Sequence, residues 1–143
     1  MSELLPYFIS SIPKDNIEST LKDIGKEIGL KLLEIYQIEN IHASISEALI
    51  NITSNLLPKI YECRRSVEKS TEAENIYIIK EKNNIFFKNE IKEKFKCLDG
   101  IIAGIIEIAL DAANYKCNVN SYIFENNYLY VIEQKDNNDK TIK

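Results

Sequence analysis

Apolar residues recur along this chain at spacings that separate helices from strands. Between Leu98 and Asn114, LDGIIAGIIEIALDAAN, the polar or glycine positions Gly100, Gly104, Glu107 and Asp111 all fall on one narrow side of a helix. The rest of that helix is apolar, and a helix apolar around most of its circumference must be covered on several sides. This stretch is therefore expected to be the central core helix, packed on a sheet and flanked by other helices. Its uninterrupted apolar run, Gly100 to Ile106, is far shorter than the roughly 20 residues a bilayer crossing needs. Gly100 and Gly104 each cost about 1 kcal/mol of helix propensity relative to Ala. Their ordinary use is close packing inside the domain, with a ligand groove as the alternative. Glu107 and Asp111 read as a solvent-facing strip rather than as a coupled acid pair.

Three further helices are expected before it. Leu4, Leu5, Phe8, Ile9 and Ile12 fall at helical spacing, with Pro6 near the start and Pro13 at the end. A longer helix, capped by Asp15 or Asn16, runs to about Gln37 with the stripe Ile17, Leu21, Ile24, Ile28, Leu32 and Ile35. Gly25 and Gly29 sit beside that stripe and signal close contact with another element. Leu30 projects among Ser19, Asp23, Lys26 and Gln37 on the polar face, where a monomer has no use for it. Another helix spans about Ala43 to Leu57 on Ile45, Leu49, Ile52 and Leu56, and Pro58 bends or ends it.

Strand signals are shorter. The charge-dense segment Glu62 to Glu74 reads as a solvated connection. Asn75 to Lys80 and Ile85 to Lys88 read as a hairpin turning at Lys82, Asn83 and Asn84, followed by a charged loop from Asn89 to Lys96. Cys117 to Glu125 and Tyr128 to Gln134 form a second hairpin around Asn126 and Asn127, since asparagine tolerates the positive φ of a tight turn. Its tyrosines, Tyr122, Tyr128 and Tyr130, suit a sheet surface or an interface rim. The expected fold class is α+β, with helices packed on one side of a small four-stranded antiparallel sheet. Residues 1–134 make one domain and 135–143 a polar, frayed tail. Such a sheet leaves open edges and an outer face that partner subunits can cover.

Composition narrows the function. At 143 residues, 45% hydrophobic, 28% charged and net charge −4, the chain is an ordinary globular domain without the clustered basic face of a nucleic-acid binder. Cys63, Cys97 and Cys117 lie far apart and form no CxxC, so neither a disulfide framework nor a zinc site is expected. The first residues carry no basic signal-peptide region and no myristoylation glycine, which points to a cytosolic or peripheral protein. His42 is the lone histidine and reads as a surface or capping residue rather than a metal or haem ligand. No catalytic or phosphate-binding motif is present, and no cofactor is expected. The residues alone lead to a protein-binding α+β domain, not an enzyme.

Several stretches taken together add a family. The helix LKDIGKEIGLKLLE (Leu21 to Glu34), the segment VEKSTEAENIYII (Val67 to Ile79), and AGIIEIALDAA (Ala103 to Ala113) followed by VNSYIF and YLYVIE resemble the small α/β subunits of the TRAPP (transport protein particle) vesicle-tethering complex. The likeness runs from about Leu4 to Glu133, and the acidic linker entering a strand is similar to that family's subunit 5. What the resemblance implies is architectural. Such subunits heterodimerise through their first helices, here pointing to Leu5, Phe8, Ile9, Ile24, Gly25 and Leu30 as interface residues. By resemblance, the partners are a subunit 3-like sister and a longin-fold subunit 2-like protein. The assembled complex would exchange nucleotide on a Rab-type GTPase at endoplasmic reticulum and cis-Golgi membranes, without the chain itself supplying the exchange site. The family's acylated cysteine is replaced here by Ile41 beside His42, so acylation is not expected. A small-molecule sensor of the 4-vinyl reductase type, which looks like the same fold, is the competing reading, although its cysteine-rich metal signature is not matched.

Overall fold

The computed structural model describes residues 17–37, 44–82, 98–125 and 127–135. The expected first helix with Leu5, Phe8 and Ile9, together with Ile41, His42, Cys97, the expected strand 85–88 and the tail from 136, lies outside these residues.

Among them, three helical segments pack on a four-stranded antiparallel sheet of order β1-β2-β4-β3. Helix α1 is Ile17–Ile35, α2 is Ile45–Asn51, and α3 is Leu98–Ala112. The strands are β1 (Arg64–Lys69), β2 (Ile76–Lys82), β3 (Cys117–Phe124) and β4 (Asn127–Gln134). Helix α3 lies against β3, α1 packs along the outside of α3, and the segment that continues α2 reaches β1.

The core helix is where the apolar pattern places it. Ile101, Ile102, Ile105, Ile106 and Leu110 are essentially inaccessible, each contributing about 1.5–3 kcal/mol by burial. Asn114, at φ 71°, ends the helix: its N–H donates to Asp111 O and the Tyr115 N–H to Leu110 O, so the last carbonyls are satisfied by a left-handed cap. Beneath α3, alternate residues of the central strands form the floor: Tyr77 and Ile79 on β2, Tyr128, Tyr130 and Ile132 on β4. Ser44 caps α2 by accepting from the Glu47 N–H, and Ile45, Leu49, Ile52 and Leu56 are all buried as the stripe requires. Past Asn51 the helix loosens to a π-turn over Ile52–Leu56 and tightens to a 3₁₀ turn over Leu57–Lys59. Pro58 explains the change, because it has no N–H to offer an α-helical partner and its ring would strike the preceding turn.

Two expectations are corrected. Glu62 to Glu74 is not a solvated connection throughout, since Arg64–Lys69 is an edge strand paired antiparallel with β2. The partners of Asn75–Lys80 also differ: β2 extends through Lys82, which was expected in the turn, and it pairs with β1 on one edge and β4 on the other. Charge density hid β1, because an edge strand tolerates Arg, Glu and Lys that a central strand would reject. The second hairpin forms, but its turn is shifted: the positive φ (51°) falls on Glu125, expected in the strand, and Asn127, expected in the turn, opens β4 opposite Phe124.

Candidate partner interface

Helix α1 meets α3 through glycine. A Cβ on Gly25 would lie 2.0 Å from Ile101 O and 3.0 Å from Gly104 Cα, and one on Gly104 would lie 2.1 Å from Lys22 O. The two backbones therefore touch at this crossing, and Leu21, Gly25 and Gly29 form the covered face of α1. That face is displaced from the isoleucine stripe toward the glycines. Ile17, Ile24 and Ile28 are consequently only half-buried, and Ile35, expected in the stripe, is 66% exposed.

The same crossing brings two lysines over α3. Lys22 Nζ lies 3.1 Å from Glu107 Oε2 and Lys26 Nζ 2.9 Å from Glu107 Oε1. The Val119 N–H donates to the same carboxylate at 2.9 Å, and Lys22 also reaches Asn118 Oδ1 at 3.3 Å. Glu107 thus ties α1, α3 and the free edge of β3 together, with its side chain only 12% exposed. Burial alone would push its pKa up, but the hydrogen bonds from Lys26, the Val119 N–H and Lys22 outweigh it and hold the carboxyl below its usual range. The solvent-facing strip expected on α3 is accordingly corrected: its glycines face α1 and its glutamate is engaged. Asp111 pairs separately with Lys116 at 3.0 Å.

A second polar cluster, invisible to the sequence reading, lies under the β1–β2 pair. Glu81 is fully buried; Arg65 Nε donates to its Oε2 at 2.8 Å and Tyr61 Oη to its Oε1 at 2.7 Å. Arg65 also donates to Tyr61 O at 3.0 Å and stacks on the Tyr61 ring. Burial first, then the Glu81 charge, drives the Tyr61 hydroxyl strongly upward and the Cys63 thiol up to about 12. Neither is a nucleophile at neutral pH. An alternating arginine and glutamate on facing strands is the signal that could have paired them, and its register is unreadable until β1 is known to be a strand.

Clefts of about 270 Å³ and 210 Å³ flank the Glu107 tie, the first beside Gly100, Ala103 and the edge of β3, the second between Lys26, Asp111 and Lys116. Among the described residues no group of His, Cys, Asp and Glu is arranged to hold a metal, and no helix is long and apolar enough to cross a membrane.

A few large apolar side chains also remain outward. Leu30 is 51% exposed, and Ile35 and Tyr36, at the last residue of α1 and just past it, are exposed as well. At 100° per residue Leu30 and Ile35 point to different sides of α1, so the C-terminal half of this helix offers apolar surface on both flanks of its covered face. Of the expected interface residues, Leu30 is open, Ile24 is packed at the margin of the core, and Gly25 is buried against α3 and so does not share the outer surface. Among the described residues, Ile50 on α2 and Tyr122, Ile123 and Phe124 at the tip of the β3–β4 hairpin are exposed too.

Comparison with known proteins identifies the family. The family described as transport protein particle (TRAPP) component matches residues 1–142. A putative trafficking protein particle complex subunit TRS31 from Encephalitozoon cuniculi is 31% identical over 112 residues, covering 76% of each chain. Trafficking protein particle complex subunit 5 from Dictyostelium discoideum is 28% identical over 130 residues, covering 85% of this chain and 70% of that protein. Among solved structures, a trafficking protein particle complex subunit 3 from Naegleria fowleri, covalently bound to palmitic acid, superposes with a TM-score of 0.66 at 17% identity, covering 94% of this chain and 95% of that one. An H-NOX protein from K. algicida shares the fold more loosely, with a TM-score of 0.53 at 15% identity over 85% of this chain and 64% of that one. At these identities the two structures speak to the fold alone, whereas the family match spans nearly the whole sequence: this chain belongs to the TRAPP component family.

Proposed function

We propose that this chain is a non-enzymatic structural subunit of a TRAPP vesicle-tethering complex, pairing through the outer surface of α1 with a sister small subunit. The observation that carries the reading is Leu30, an exposed leucine on a helix whose other side is fixed to α3 by a glycine crossing. Covering the exposed half of this side chain would contribute about 1 kcal/mol to pairing. Leu5, Phe8 and Ile9, which lie outside the described residues, are kept as proposed pairing residues, Ile24 borders the surface, and Gly25 acts from beneath by setting where α1 lies. The proposed partners are a subunit 3-like sister and a longin-fold subunit 2-like protein. Through the whole complex the chain serves nucleotide exchange on a Rab-type GTPase, on the cytoplasmic side of endoplasmic reticulum and cis-Golgi membranes. A sensor role draws only on the shared fold.

Purification of the tagged protein from its own cells tests this. Sister small subunits and a longin-fold protein in stoichiometric amount, with exchange activity in the complex but not in the isolated chain, are the expected result. Elution alone with a retained small molecule would overturn it.

A further inference from the structure

The sheet has a second face, turned away from the helices, whose composition follows from the strand register. Residues opposite one another in an antiparallel pair share a face, with side chains about 5 Å apart. Arg64 stands opposite Lys82, and Ser66 opposite Lys80, which in turn faces Leu129. Leu129 is paired across to Tyr122, and Ile78 to Val131. One corner of this face is therefore a cluster of three cations, and beside it runs an apolar field of Ile78, Leu129, Val131 and Tyr122, extended by Phe124. Tyr122 and Phe124 are 55% and 50% exposed, and the aliphatic residues are half-buried.

Among the described residues none of Arg64, Lys80 and Lys82 is in an ion pair. The acids on the face, Glu68 opposite Ile78 and Glu133 opposite Ile76, lie farther along the strands, away from the cationic corner. Ser66 Oγ, in the row with Lys80, is buried and has no hydrogen-bond partner. In a chain of net charge −4 this concentration of positive charge is a local exception.

We infer that the outer face of the sheet docks a partner protein whose surface is apolar at its centre and carries carboxylates at its rim, set against Arg64, Lys80 and Lys82. This surface is additional to the α1 pairing surface. A membrane is the poorer match, because side chains half-sunk in a flat sheet do not insert into lipid and the chain's overall negative charge opposes an anionic bilayer. Three cations are also too few for a nucleic acid. Opposite charges at the rim fix register and raise association rates, while the apolar centre supplies affinity.

Zero-length carbodiimide cross-linking of the intact native assembly, purified through a tag, tests the inference because it joins a lysine only to a carboxylate already beside it. Lys80 or Lys82 is expected to couple to an Asp or Glu of another protein chain. The folded triple variant R64E/K80E/K82E is expected to retain that chain about tenfold less well, with the partner that depends on Leu30 kept. Should the reversal unfold the protein, the milder R64Q/K80Q/K82Q serves in its place. Absence of such cross-links together with unchanged retention would overturn the inference. So would a variant that keeps every partner but no longer sediments with phosphatidylserine–phosphatidylcholine vesicles, since that result assigns the face to a membrane.

Discussion

At Gly25 and Gly104 the backbone of the facing helix fills the space a side chain would need. Gly25→Ala or Gly104→Ala would drive a Cβ to within about 2 Å of a carbonyl oxygen on the other helix. Even after about 1 kcal/mol of gained helix propensity, each is expected to destabilise the fold by about 2 kcal/mol, read as a shifted urea midpoint. Gly100→Ala is the milder control: its Cβ would meet Leu21 Cβ at 3.1 Å, a crowding of tenths of an ångström that about 1 kcal/mol of gained helix propensity offsets, so its net effect is expected to be near zero. Equal losses at all three positions would mean that the crossing is not as close as described.

Glu107 has its own pH signature. Its folded pKa lies below the usual 4.5, so the unfolded chain binds more protons in that range and stability rises with pH through it. The contribution is full above about pH 4.5 and fades as pH falls through the lower folded value. Glu107→Gln is expected to cost about 1–2 kcal/mol at pH 7, and the difference from wild type should vanish in acid; a deficit independent of pH would contradict the ion-pair origin. The glycines were visible in the sequence, but the polar strip was misplaced. Periodicity shows that Glu107 is on one side of a helix, not whether that side meets water or Lys22, 85 positions earlier.

Among the elements, α1, α3 and the β3–β4 hairpin could be read from pattern because each carries its own period. Strand β1 could not: RRSVEK has the composition of a loop, and only its pairing with β2 makes it a strand. What holds it is the buried Arg65–Glu81 pair with Tyr61 and Tyr130 around it. Arg65→Ala or Glu81→Ala leaves an uncompensated buried charge and is expected to cost about 3–5 kcal/mol, whereas the double change R65M/E81L should recover most of that loss. Equilibrium denaturation of the three variants checks both parts. If the double variant is as unstable as the singles, the hydrogen bonds to tyrosine rather than the charge balance hold the edge.

At the scale of the whole molecule, the described residues place helices on one face of a four-stranded sheet and leave apolar side chains on the outer side of α1 and on the outer face of the sheet. The α+β class was legible from the alternation of helical and strand-like stretches. That residues 64–69 form a strand was not, because it rests on long-range pairing with β2 rather than on their own pattern. Membership of the TRAPP component family gives these surfaces a setting, since its relatives here are named as subunits of a complex. Leu30 was legible as an oddity within α1, and its exposure follows from the position of the glycine crossing.

The most direct test of the pairing role is native mass spectrometry of this chain co-expressed with a sister small subunit, wild type beside Leu30→Asp. The wild type is expected as a one-to-one heterodimer. Leu30→Asp should keep the wild-type circular dichroism spectrum and lose the heterodimer by about tenfold or more, because an interfacial charge must be desolvated while an exposed one costs little. A folded Leu30→Asp protein that pairs as well as the wild type would contradict the assignment of α1 as the pairing surface.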